Sequence, residues 1–235
     1  MEIQIAVSKI KKYATSASGD TVEVIERPQG GLSVVLADGQ SSGKGAKWVS
    51  TFVVRKVISL LADGVRDGAA ARAASDSLFT EREGKVSASL NIISIDKHTK
   101  TMVITRNNPA PALLVEDDKF TTLDDSCKPI GLYRGTRPII TERRLKPGIT
   151  SVIYSDGLVH CGSRYGESLD IQYYLSHLLK NEISTSEYIA DSLLQRALEL
   201  DHNRPADDIS VVVVRVLPKS DDEIRRMSVR LPLGP

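Results

Sequence analysis

Along the first forty residues apolar side chains recur at every second position, and a chain patterned this way lays them on one face of a sheet. Residues 2–7, 21–26 and 32–36 each read as a strand, with Pro28-Gln29-Gly30-Gly31 as a turn. From Lys44 the period lengthens. Trp48, Phe52, Val53, Lys56 and Leu60 fall near i, i+4 spacing and predict a helix over 44–62, stopped at Asp63-Gly64. An Ala-rich amphipathic stretch predicts a second helix over 67–80. Strands return at 86–95, 101–105, 112–115, 139–145 and 150–154; helices follow around 169–179 and 185–200, then a last strand at 209–216. Helices grouped between runs of antiparallel-looking strands predict α+β layering rather than alternating βαβ units. Pro218–Pro235 carries Lys, Asp, Glu and Arg with little apolar period and reads as a tail or arm.

A length of 235 residues suits one domain with a substantial core. Lys plus Arg exceed Asp plus Glu by one (31 against 30), and aromatic residues make up only 5%. Neither a basic groove nor a set of stacking platforms is on offer, which argues against nucleic acid as partner, and the charge balance gives no reason to expect a membrane surface. No apolar run reaches the roughly 20 residues that span a bilayer. The chain has two cysteines, Cys127 and Cys161, far apart and outside any CxxC; they point to reduced thiols and a cytoplasmic protein. Neither is followed at the right spacing by the arginine of a Cys-x5-Arg phosphate loop, since Arg134 lies seven positions after Cys127 and Arg164 three after Cys161.

Four Asp-bearing turns sit at or beside strand ends: Ser18-Gly19-Asp20, Ala37-Asp38-Gly39, Ser155-Asp156-Gly157 and Asp207-Asp208-Ile209-Ser210. Two share one local grammar, an apolar β-run followed by Asp-Gly. Each alone is an ordinary hairpin turn. Gathered in space, such carboxylates repel unless a cation sits between them, and hard oxygen ligands suit magnesium or manganese. Gly39-Gln40-Ser41-Ser42-Gly43-Lys44 fails as a P-loop, because only three residues separate its glycines and Gly45 follows the lysine. Its glycines let the backbone approach a ligand and open the following helix, whose N-terminus favours an anion. Lys44 and Lys47 there read either as phosphate or substrate contacts or as a solvated helix face. His160, close after Asp156-Gly157, is a candidate for protonating a leaving group, and Asp208 for orienting Asp207.

Taken in order, several segments resemble the PPM (type-2C) protein phosphatases, in the bacterial branch that contains SpoIIE, RsbU and RsbX. Ser18-Gly19-Asp20 matches, and the run from Ala37 to Ala46 is similar to that branch's ADGxGSGxxA element. Arg106–Val115 is similar to its NAGHxPxxL segment, Pro129-Ile130-Gly131-Leu132 to PLGL, Pro147-Gly148 with Ile153–Leu158 to PGDxLLLYTDG, and Asp207-Asp208-Ile209-Ser210 to DDxT/S. Gln40 departs from the usual Met or His, and Asn108-Pro109 stands where the family has Ala-Gly-His.

The resemblance implies a PPM-type β-sandwich of two antiparallel sheets flanked by helices, four layers αββα, over residues 1–217, with 218–235 as an arm. It implies two ions, Mn2+ or Mg2+, with Asp38 bridging both, the Gly39 carbonyl on one, and Asp20, Asp156 and Asp207 completing the set. Asp38, Asp156 and Asp207 are then the catalytic residues of a serine/threonine phosphatase that attacks phosphorus with a metal-bridged water, without a phosphoenzyme. The substrate it implies is a phosphorylated STAS-domain anti-sigma antagonist or stressosome component, in sigma-factor or stress regulation. A domain that starts at Met1 looks more like RsbX than like RsbU. The segments 44–62 and 67–80 correspond to a regulatory helix pair, which leaves room for control by partner binding or homodimerisation. Two other classes compete: a catalytically weak or inactive PPM-like module that regulates a partner by binding it, and a two-metal phosphohydrolase of small molecules or nucleic acid.

Overall fold

The computed structural model describes residues 1–181, 184–219 and 223–232. Among the described residues, ten strands and five α-helices follow in chain order: β1 (Glu2–Ile10), β2 (Asp20–Glu26), β3 (Gly31–Gly39), α1 (Gly43–Ala62), α2 (Asp67–Arg82), β4 (Ala88–Asp96), β5 (Thr101–Asn107), β6 (Ala112–Glu116), β7 (Lys119–Leu123), β8 (Ile139–Arg144), β9 (Thr150–Tyr154), α3 (Asp156–His160), α4 (Ile171–Leu179), α5 (Ser186–Leu200) and β10 (Ile209–Leu217). The strands form two five-stranded sheets, ordered β1-β10-β9-β6-β7 and β2-β3-β4-β5-β8. All neighbouring strands in both are antiparallel.

The period of two explains the layering. In β10, Val212, Val214 and Val216 face the other sheet, while Val211 and Val213 pack with Leu175, Ile189 and Leu193 of α4 and α5. In β3, Val34 and Leu36 enter the core between the sheets, and Val35 and Ala37 pack under Val53, Val57 and Leu61 of α1. A strand buried on both faces reads as a continuous apolar run, as Val211–Val214 does. Three apolar layers thus alternate with four layers of secondary structure, the αββα sandwich anticipated.

β7 has no counterpart among the strands expected from the sequence. The β6–β7 hairpin turns on Asp117 and Asp118, both left-handed at φ 51° and 59°. That geometry belongs to a two-residue type I′ turn, whose usual signal is Asn-Gly or Asp-Gly rather than Asp-Asp. Nor was α3 anticipated: the Asp156-Gly157 turn opens a short helix.

Two buried polar side chains fix the loop after β5. Arg106 is 1% exposed, and its guanidinium donates to the carbonyls of Asn108 (3.0 Å), Ala110 (3.1 Å) and Asp125 (2.9 Å). Asn108 accepts from Ala110 N at 3.0 Å and donates to Tyr154 O at 3.1 Å. That second bond ties the segment to the end of β9, two residues before Asp156. The departure at Asn108 therefore serves as a buried brace.

Candidate metal centre

β2 and β3 pair in a register that sets Asp20 directly opposite Asp38. Side chains so placed have Cβ atoms about 4.5–5.5 Å apart, and like charges there are destabilising. The second pair comes from the other sheet. Beyond β9, Ser155 N donates to Ser210 O (3.0 Å) and Ser210 N to Ser155 Oγ (2.9 Å). This extends the β9–β10 pairing by one step and brings Asp156, at the start of α3, beside the Asp207-Asp208 turn before β10. Gly157 permits the approach: a Cβ there would stand 2.2 Å from the Asp208 carbonyl oxygen. Ser210 Oγ then donates to Asp20 Oδ2 at 2.6 Å, joining the ends of the two sheets.

Asp38 lies at the electrostatic centre. Burial first, then the charges of Asp20, Asp156 and Asp207, push its carboxyl up to about 9. Asp20 and Asp156 are also raised, chiefly by burial, with Asp207 adding to the effect on Asp156. Asp20 is fully buried and its Oδ1 has no hydrogen-bond donor, whereas Asp156 keeps one side in solvent. All four expected carboxylates therefore face one region at one end of the sandwich.

Among the described residues no three His, Cys, Asp or Glu side chains form a ready-made cage for an ion. The two observations agree if each ion is held by one or two carboxylates and waters, as magnesium usually is. An orphaned buried carboxylate oxygen and a carboxyl forced to hold a proton both mark a place that a divalent cation fits.

Backbone placement is equally specific. Gly39 closes β3 against α1, where a Cβ would meet the Ala46 carbonyl oxygen at 2.1 Å. Gln40 continues the ladder: its N donates to Ser87 O (2.9 Å), and its Oε1 accepts from Ser87 N (3.0 Å). α1 begins at Gly43, with no side-chain cap from Ser42.

The lysine reading resolves into two roles. Lys44 is exposed, while Lys47 is half-buried and donates to Asp20 O (3.0 Å) and Thr21 Oγ1 (2.8 Å). Lys9, which sequence reasoning missed, donates to the same Asp20 carbonyl at 3.1 Å. Burial lowers both ammonium groups below the usual lysine range. Nothing in a period-two strand singles out Lys9; only the fold brings it here.

Asp208 plays a different part from the one its position suggests. Its carboxylate does not orient Asp207: it accepts from Lys12 N (2.8 Å) and Gly19 N (2.7 Å), while its own N–H donates to Asp207 Oδ1 (2.9 Å). The main chain at 208 orients Asp207, and the side chain clamps the loop that delivers Asp20. Asp208→Ala strands two backbone amides near a buried site, which costs about 2–4 kcal/mol. Urea denaturation should show that loss, together with weaker manganese binding by titration. Unchanged stability would remove the clamp from the account. His160 is exposed and within electrostatic reach of Asp156, offsetting part of that group's rise.

The comparisons with known proteins come down on the same fold. The family model described as Stage II sporulation protein E (SpoIIE) matches residues 28–217. Stage II sporulation protein E of Bacillus subtilis (strain 168) is 22% identical over 200 residues, which cover 85% of this chain and 24% of that protein. The chain thus spans about a quarter of the curated relative it matches. The structure of that protein's PP2C phosphatase domain with a fragment of its regulatory domain superposes with a TM-score of 0.77 at 21% identity, over 92% of this chain and 64% of that one. The catalytic domain of the serine threonine protein phosphatase PstP, in complex with two manganese ions, gives 0.71 at 18% identity, covering 92% and 99%. RsbX in complex with magnesium gives 0.71 at 17%, covering 91% and 95%.

Proposed function

We propose that this chain, which belongs to the SpoIIE family, is a manganese- or magnesium-dependent phosphatase that hydrolyses phosphoserine or phosphothreonine on another protein. The observation that carries the reading is the direct cross-strand opposition of Asp20 and Asp38, with Asp156 and Asp207 brought to the same point from the other sheet. The metals bound by PstP and RsbX, as their structures describe them, support the choice of ion.

Asp20, Asp38, Asp156, Asp207 and the Gly39 carbonyl would hold the ions. Such ions neutralise phosphate oxygens and lower the pKa of water toward neutrality. The chain's own contribution is placement. Ser210 and the Asp208 clamp hold Asp20, the Asp208 amide holds Asp207, and Gly157 lets α3 carry Asp156 in. Asp156, on the open side, is where a phosphate ester enters. Residues 1–217 would be the catalytic unit and 218–235 an arm, of which 220–222 and 233–235 lie outside the described residues. Among the described residues no helix is long and apolar enough to cross a membrane.

The expected substrate is a phosphorylated STAS-type signalling protein. Phosphate release from p-nitrophenyl phosphate, and from a panel of phosphorylated STAS-domain proteins, should require manganese or magnesium. It should fall by more than about 100-fold in Asp156→Ala, since loss even of an outer partner of a metal ligand costs 10–100-fold. A folded sample that binds manganese and releases no phosphate from any of these would leave a binding module instead.

A further inference from the structure

A groove of about 950 Å3 runs along α1 and α2, starting where Lys47 reaches the Asp20 carbonyl. Its walls carry four cations, Lys44, Lys47, Arg55 and Lys56, against two acids, Asp76 and Glu81; Lys47 is engaged with Asp20 O and Thr21 Oγ1, and Asp76 with Gly135 N at 2.8 Å. Its lining includes two aromatic rings. Trp48, 38% exposed, stacks on Phe52 with ring centroids 5.2 Å apart, and the Arg82 guanidinium lies 3.9 Å over the Trp48 ring. The chain as a whole is nearly neutral, so this concentration of positive charge is local.

We infer that the groove docks an acidic segment of the phosphoprotein substrate, holding it beside the carboxylate site while the phosphoserine enters; this rests on the phosphatase reading above. Charge selects the occupant. A second copy meeting this face through a two-fold axis would set the four cations against the same four. The described C-terminal residues carry Lys219, Arg225, Arg226 and Arg230 against one acid, Glu223, which pairs with Lys219, and Arg225 pairs with Glu26 at 2.9 Å on β2. An acidic segment satisfies Lys44, Arg55 and Lys56, and an apolar or aromatic side chain within it packs on the exposed part of Trp48.

Geometry sets the spacing. From Lys47 to Lys56 the helix rises about 13 Å at 1.5 Å per residue. An extended peptide advances about 3.3 Å per residue, so the acidic residues belong roughly four to six positions from the phosphoserine. Phosphoserine peptides with three aspartates at that distance, on either side, are compared with peptides carrying alanine there. Because Trp48 is the one tryptophan of the chain, its fluorescence reports binding without turnover.

The acidic peptide is expected to shift that fluorescence and to show a KM about tenfold below that of the alanine peptide, a preference weakened by salt. Arg55 and Lys56 are exposed and lie outside the metal centre. In the double variant R55E/K56E the preference should vanish while kcat and p-nitrophenyl phosphate hydrolysis are kept. An acidic peptide that leaves Trp48 unchanged, or a preference that survives charge reversal, overturns the inference. A parent protein with no p-nitrophenyl phosphate hydrolysis defeats the phosphatase reading instead, and the fluorescence arm then still decides whether the groove takes acidic peptides.

Discussion

Asp38→Asn should stabilise the metal-free protein while abolishing its activity and its response to metal. Asp38 holds a proton in the folded state up to about pH 9, because it is buried against Asp20, Asp156 and Asp207. The unfolded chain has released that proton above about pH 4. The sign follows from linkage: with a folded pKa above the unfolded one, stability is fully present below pH 4 and is lost as pH rises toward 9. Asparagine has no proton to lose and keeps the shape. The variant's gain should therefore be near zero at pH 4 and grow to a few degrees or more of melting temperature by pH 8, at about 2–4 °C per kcal/mol for a domain of this size. Manganese should raise the melting point of the parent increasingly as pH rises, and that of Asp38→Asn little at any pH. Phosphate release should drop at least ~100-fold. A variant less stable than the parent throughout this range would make Asp38 a structural residue and remove it from the metal set. The trade of stability for function is the usual signature of a site where like charges are held together for a ligand.

Much of this architecture was legible because burial writes itself into period. The alternation in β2, β3 and β10 and the i, i+4 spacing in α1 each reflect which face is dry, so element types and the αββα order could be read from one sequence. β7 was not legible, since an edge strand with Lys119, Thr121 and Thr122 exposed has little apolar signal, and its Asp117-Asp118 turn lacks a glycine. The four aspartates could be picked out because Asp is a poor strand residue standing at strand ends. What holds them could not. Ser210 joining the sheets, Lys9 on the Asp20 carbonyl, and Asp208 bonded to amides some 190 residues away are long-range pairings that no local window contains. Arg106 is the sharpest case. A buried guanidinium satisfied by three carbonyls looks, in sequence, like any charged residue in a loop-proximal strand.

Gly157→Ala should be among the most damaging single methyls in the chain's active end, in a class with Gly39→Ala. Alanine is ordinarily welcome in the first turn of a helix, where it costs less than glycine in backbone entropy. Here the added Cβ would stand 2.2 Å from the Asp208 carbonyl oxygen and 3.0 Å from its carbonyl carbon, with Ile209 Cγ1 at 3.1 Å. All three belong to the segment entering β10, which two hydrogen bonds between Ser155 and Ser210, one of them to the Ser155 hydroxyl, already fix. Neither side can yield without losing one of those bonds or parting Asp156 from Asp207. Overpacking of this kind costs about 1–3 kcal/mol and sometimes more, and here the backbone contact points to the upper end. A general loss of packing would lower stability alone. Strain between these two segments should also weaken manganese binding, by an order of magnitude or more, in samples still folded at the assay temperature. Calorimetric titration of manganese alongside thermal unfolding separates the two. Parent-like affinity in a destabilised Gly157→Ala would show that Asp156 and Asp207 do not share a site.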